Sequence, residues 1–135
     1  MTDILLEPEE VPKTYVDYSV NMPKEILNHP INVLNKVPKE TYFETSTIIN
    51  LIKNHHEKPD GLGYPSRLSY TRFDIFLCTY YIAEQLVLNM IKKDLKLNEI
   101  AAVYSEIHLA HKKYSTPNFN RAFENFDKLI NRIYK

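Results

Sequence analysis

An all-α fold follows from three features of this 135-residue chain. Apolar residues recur at spacings of three and four over most of its length, the period of a helix with one buried face. No strand pattern competes with them. Glycine occurs only twice, at Gly61 and Gly63 within PDGLGYP, so backbone freedom is concentrated in one segment. The expected architecture is one helical bundle of about five helices in a single domain over residues 1–135.

Residues 1–22 carry Pro8 and Pro12 and only a weak alternation in TYVDYSV, which reads as an irregular arm. From Pro23, a residue suited to a first helical turn, Ile26, Leu27, Ile31, Leu34 and Val37 fall at helical spacing. Pro30 should kink or split this helix, and Pro38 should end it. KETYFETSTIINLIKNHHEK sets Phe43, Ile48, Ile49, Ile52 and the His55–His56 pair near one face of the next helix. Pro59 and the two glycines stop it, and SRLSYTR reads as loop. Residues 56–72 are thus the longest internal stretch expected to lack helix. Phe73 to Lys93 is apolar nearly all round, through Phe76, Leu77, Tyr80, Tyr81, Leu88 and Ile91, as expected of a central helix. Ile100, Val103, Tyr104 and Ile107 mark the following helix. Asn118 or Thr116 can cap the last, whose stripe is Phe119, Ala122, Phe123, Phe126, Leu129, Ile130 and Ile133.

Lys and Arg number 17 and so do Asp and Glu, which argues against a protein held to a nucleic-acid polymer by its overall field. Ten tyrosines invite a base-stacking argument, but the helical spacing of Tyr80, Tyr81 and Tyr104 favours core packing. A lone cysteine, Cys78, excludes an internal disulfide and fits a reducing compartment; within an apolar helix it is expected to be inert. No apolar run approaches the length of a membrane span, and MTDILLEPEE is acidic where a secretory signal would be basic. A cytoplasmic protein with no membrane partner is expected.

Chemistry concentrates in HHEKPDGLGYP. Neutral imidazoles suit iron, zinc, manganese or nickel. Adjacent histidines diverge by about 100° on a regular helix. They therefore share an ion most easily where the helix ends, and glycines just beyond permit a tight turn against the site. The competing reading is a solvated pair at a helix C-terminus. Asp60 is expected to cap the turn through its side chain. His108 and His111 can meet on one helix face, though a solvated face beside Lys112 and Lys113 is the simpler reading. Glu84, among Tyr81, Leu86 and Leu88, needs a partner if buried; an exposed edge of the helix is the alternative.

The segment resembles the HHE-x-x-DGxGYP signature of the HD-GYP proteins, a branch of the metal-dependent HD phosphohydrolases. All eight signature residues are here: His55, His56, Glu57, Asp60, Gly61, Gly63, Tyr64 and Pro65. Upstream, NHPINVL is similar to that family's HP-x-x-G-x-x-L helix and puts His29 at its metal-binding histidine, with Val33 where the family has glycine. Downstream, Leu68 matches the leucine after GYP, and YYIAEQL puts Glu84 at the family's ligating aspartate. LNEIAAVYSEI and STPNFNRAFENFDKLI resemble the family's last helices. The resemblance implies an all-helical fold like the C-terminal part of an HD-GYP domain. It also implies a centre of divalent iron or manganese held by His29, His55, His56 and Glu84, and hydrolysis of cyclic di-GMP.

The family's His-Asp pair belongs just under thirty residues before His29, and EPEEV resembles the stretch that follows it. The chain is therefore expected to begin just past that motif. Cys78 replaces the family's arginine ahead of the ligating aspartate, and its downstream R-P-Y is missing from LNMIKKDLK. The expectation is a truncated or degenerate domain of phosphodiesterase ancestry with a partial metal site. The rival is a non-catalytic module whose GYP turn binds a cyclic dinucleotide or docks a GGDEF-type cyclase.

Overall fold

The computed structural model of the chain describes residues 24–36 and 46–133. The chain divides into two compact units, Met1–Ser69 and Tyr70–Lys135. The described residues are all-α. The first unit contains α1 (Lys24–Leu27), α2 (His29–Lys36) and α3 (Ser46–Asn54), and the second α4 (Ile75–Lys92), α5 (Ile100–Ala110) and α6 (Pro117–Ile133). Apart from two 3-10 turns, the only other regular pairing among these residues is an isolated bridge between Asp60 and Ser69. The irregular arm at 1–22, Phe43 and the stop at Pro38 lie outside the described residues.

In the first unit a break at Asn28 separates α1 from α2, whose backbone bonds run on either side of it (Asn28 N–H to Lys24 O and Asn32 N–H to Asn28 O, both 2.9 Å). Pro30 falls in the first turn of α2, where its missing N–H costs nothing, so the helix is split as expected. α2 packs on α3. Val33, standing where the HD-GYP pattern has glycine, is buried. α3 stops at Asn54, whose carbonyl accepts the Glu57 N–H at 2.9 Å. The histidine pair thus lies just past the helix.

In the second unit Asp74 caps α4, its Oδ1 accepting the Leu77 N–H at 2.8 Å. A side-chain acceptor there satisfies one of the four orphan donors of a helix start, which is why α4 begins two residues later than hydrophobicity alone predicts. Phe73, just outside the cap, is buried, and its carbonyl accepts Asn118 Nδ2 from α6 at 3.1 Å. α4 packs on both α5 and α6. The core centres on Phe73 and Phe119, whose rings stack at 5.6 Å, with Ile82, Cys78 and Ala122 fully enclosed. Thr116 caps α6, its Oγ1 accepting the Phe119 N–H at 3.1 Å, and Pro117 fills the first turn. Tyr104 is buried, its hydroxyl donating to Phe123 O at 2.8 Å and to Asp127. Burial, then Asp127, push its pKa above the ordinary tyrosine value.

α4 departs from one expectation. Leu77, Cys78, Tyr81, Ile82 and Leu86 are buried, but Phe76, Val87 and Ile91 are 53%, 56% and 72% exposed. Its all-round apolarity therefore serves two faces, only one of them inside the unit. No described helix is long and apolar enough to cross a membrane.

Candidate metal centre

Three histidines from two places in the sequence meet in the first unit. His29 opens α2, and His55 and His56 follow α3; packing α2 on α3 brings the rings together. Ring centroids are 5.3 Å apart for His29–His55, 5.4 Å for His29–His56 and 4.0 Å for His55–His56. One nitrogen from each ring lies within 4.8 Å of the other two. Three points so spaced have a common centre at most about 2.8 Å from each, against a usual metal–imidazole bond of about 2.1 Å. Side-chain adjustments of at most roughly 0.7 Å would bring all three to bonding distance. His29 and His55 are buried while His56 is half-buried, so an ion here is approached from the His56 side.

The tautomer of His55 is set by its surroundings. Its Nδ1 lies 2.6 Å from Ile52 O, and a carbonyl accepts only from a protonated nitrogen. In the neutral ring the lone pair is therefore on Nε2, the arrangement common for metal-ligating histidine. Helix termination makes this possible, because the last carbonyls of α3 have no partner within the helix.

The turn after the histidines is held by Glu57. Its buried carboxylate accepts the Ser66 N–H on Oε1 at 2.6 Å and the Leu68 N–H on Oε2 at 2.8 Å. With both oxygens engaged by backbone, Glu57 is a strut of the turn. Asp60 caps the turn as expected, Oδ1 accepting the Leu62 N–H at 2.9 Å. Gly61 has φ +77°, a conformation that favours glycine. Gly63 is required for a different reason: a Cβ there would sit 2.3 Å from Lys58 N and 2.6 Å from Glu57 Cα. Tyr64 donates its N–H to His56 O at 3.1 Å and stacks its ring on His56 at 4.7 Å. The Tyr64–Pro65 peptide is cis. Every signature residue from His55 to Pro65 thus contributes to one compact turn.

Glu84, the fourth ligand implied by the HD-GYP resemblance, belongs to α4 of the second unit, where it is half-buried and accepts the Tyr80 hydroxyl at 2.9 Å. His108 and His111 both stay partly exposed, beside exposed Lys112 and Lys113, but each also has partners within the unit. His108 stacks flat on Phe123 at 4.3 Å, with Nδ1 3.6 Å from Asp127 Oδ1. His111 uses both nitrogens, Nδ1 at 2.7 Å from Ile107 O and Nε2 at 2.9 Å from the Tyr81 hydroxyl. The carbonyl fixes the proton on Nδ1, so Tyr81 donates to Nε2. These partners come from α4 (Tyr81), α5 (the Ile107 carbonyl) and α6 (Phe123 and Asp127), and they leave the His108 side chain 38% exposed. Cys78 is fully buried, and its thiol is pushed up to about 12 by burial and then by the Asp74 charge. It is an inert core residue, as expected.

Among the described residues, this histidine triad is the one group of three or more metal-type donors within reach of a common ion. Three neutral nitrogens suit a borderline divalent metal, leaving further positions for water or an anionic oxygen. Comparison of the chain with protein-family models, with curated proteins and with solved structures finds no match in any of the three.

Proposed function

We propose that this chain is a degenerate HD-GYP-type domain of cyclic di-GMP phosphodiesterase ancestry, acting in the cytoplasm, that keeps one divalent-metal station on His29, His55 and His56. The observation that carries this reading is the approach of three histidine nitrogens to within 4.8 Å, from positions 26 residues apart that the resemblance independently marks as ligands. A bound iron or manganese ion would polarise a phosphate oxygen of a cyclic dinucleotide. In-line hydrolysis in a two-metal centre also needs a ligand shared by both ions, and among the described residues the histidine triad offers a single station. The expected activity is therefore metal and nucleotide binding with little turnover.

The test is metal content per chain, alongside nucleotide release from cyclic di-GMP with manganese, with iron and without metal. About one ion per chain, lost in a His55→Ala, His56→Ala double variant, supports the reading. A Glu84→Ala variant asks the same of the carboxylate that the resemblance assigns. Metal-dependent turnover near 1 per second, abolished by the double variant, would overturn the degenerate site, since typical enzymes start at about that rate. A second reading is favoured by the turn itself, which is held by Glu57 and presents Leu62 46% exposed at its tip. In that case the chain is a docking module for a GGDEF-type cyclase and binds close to no metal.

A further inference from the structure

The face of α4 turned away from its core has a regular pattern. Phe76, Tyr80, Ala83, Val87 and Met90 follow one another at steps of four, three, four and three, the spacing of a coiled-coil seam. Phe76 and Val87 are more than half exposed, and Tyr80, Ala83 and Met90 are half-buried. Ile91, beside the seam, is 72% exposed. Polar groups along this face are already engaged within the helix. The Tyr80 hydroxyl donates to Glu84 Oε2 at 2.9 Å and the Thr79 hydroxyl to Ile75 O at 2.8 Å. A partner can therefore cover them without stranding a donor.

We propose that this seam pairs with the same seam of a second copy of the chain, the two α4 helices running antiparallel. The side-chain sizes select this occupant. Antiparallel pairing sets Phe76 opposite Val87 and Tyr80 opposite Ala83, and two-fold symmetry repeats both layers, so each large residue meets a small one. Parallel pairing would put Phe76 on Phe76 and Ala83 on Ala83, crowding one layer and leaving another hollow. Opposed helix dipoles favour the same choice. Of the apolar residues on this face only Phe76, Val87 and Ile91 are more than half exposed, so a weak and reversible dimer is expected, with a dissociation constant of roughly 10–100 µM.

Sedimentation velocity on the full chain in chelator, from about 1 to 300 µM, tests this independently of any metal. The expected result is a reversible monomer–dimer equilibrium, weakened at least about tenfold by Phe76→Glu or by Val87→Lys, each with an unchanged circular dichroism spectrum because both positions are exposed. Mixing the Phe76→Glu chain with the Val87→Lys chain should restore association, because opposite charges then face each other across one layer while the other layer stays native. A wild-type chain that stays monomeric throughout would overturn the proposal and assign the seam to a different protein. Dimerisation indifferent to both substitutions would move the interface elsewhere, and a mixture that stays monomeric would refute the antiparallel register.

Discussion

Gly63→Ala should be far more damaging than Gly61→Ala, although Gly61 is the residue with positive φ. A Cβ at Gly63 would lie 2.3 Å from Lys58 N, 2.6 Å from Glu57 C and 2.6 Å from Glu57 Cα. Ordinary carbon contacts are about 3.5–4.0 Å, so the overlap exceeds roughly 1 Å against main-chain atoms that cannot rotate aside. Relief requires the turn to open, straining the Tyr64 N–H bond to His56 O. Overpacking of this kind costs about 1–3 kcal/mol and a weakened hydrogen bond about 1 more, so a loss of roughly 2–4 kcal/mol is expected. At Gly61 the nearest atom to a new Cβ is Arg67 O at 3.9 Å, and only the φ of +77° resists, at about 1–2 kcal/mol. Urea denaturation followed by circular dichroism, in chelator, reads both; the chain has no tryptophan to follow by fluorescence. Zinc or cobalt affinity should fall with Gly63→Ala, since His56 and Glu57 border the displaced segment. Equal losses for the two alanines would refute the close-approach account.

Three further outcomes are expected. His55→Ala removes one of three donors and should weaken metal binding by more than about 100-fold in a chelator competition, since loss of an outer-shell partner alone costs 10–100-fold; unchanged affinity would take the ion away from the histidines. Cys78, raised from 9.0 to about 12, favours its neutral thiol in the folded state, so its contribution is complete below pH 9 and is lost as pH rises towards 12. Stability should decline over that window less steeply in Cys78→Ala, and Ellman's reagent at pH 8 should react only after denaturation. Phe119→Ala, at a fully buried ring stacked on Phe73, should cost about 3–5 kcal/mol by denaturant midpoint, and a cost below 1 would place Phe119 outside the core.

The helices were legible because burial imprints a period on the sequence: of the α6 stripe, Phe119, Ala122, Phe123 and Ile130 are buried and Phe126 is half-buried, while Leu129 and Ile133, towards its C-terminal end, are 46% and 58% exposed. The start of α4 was missed by two residues because a polar cap at Asp74, and not hydrophobicity, decides where a helix begins. Periodicity alone also could not tell the two faces of α4 apart, since an apolar seam has the same composition whether or not its own chain covers it. At the candidate site, the meeting of His29 with His55 and His56 is what the HD-GYP resemblance implies. The double acceptance by Glu57 was not, because its donors at Ser66 and Leu68 are backbone groups and leave no trace in side-chain identity. The engagement of His111 with Tyr81 was hidden likewise, by a separation of 30 positions along the chain.

The grip of Glu57 on the far limb of the turn makes two amide protons into reporters. Ser66 and Leu68 exchange with solvent deuterium only when the carboxylate releases them, and Glu57 adjoins His56 in the chain. An ion that fixes His56 therefore slows release, and exchange at these two positions should fall as metal is added while amides in α6 keep their rates. Occupancy of the histidines could then be followed in the intact protein with a spectroscopically silent ion such as zinc.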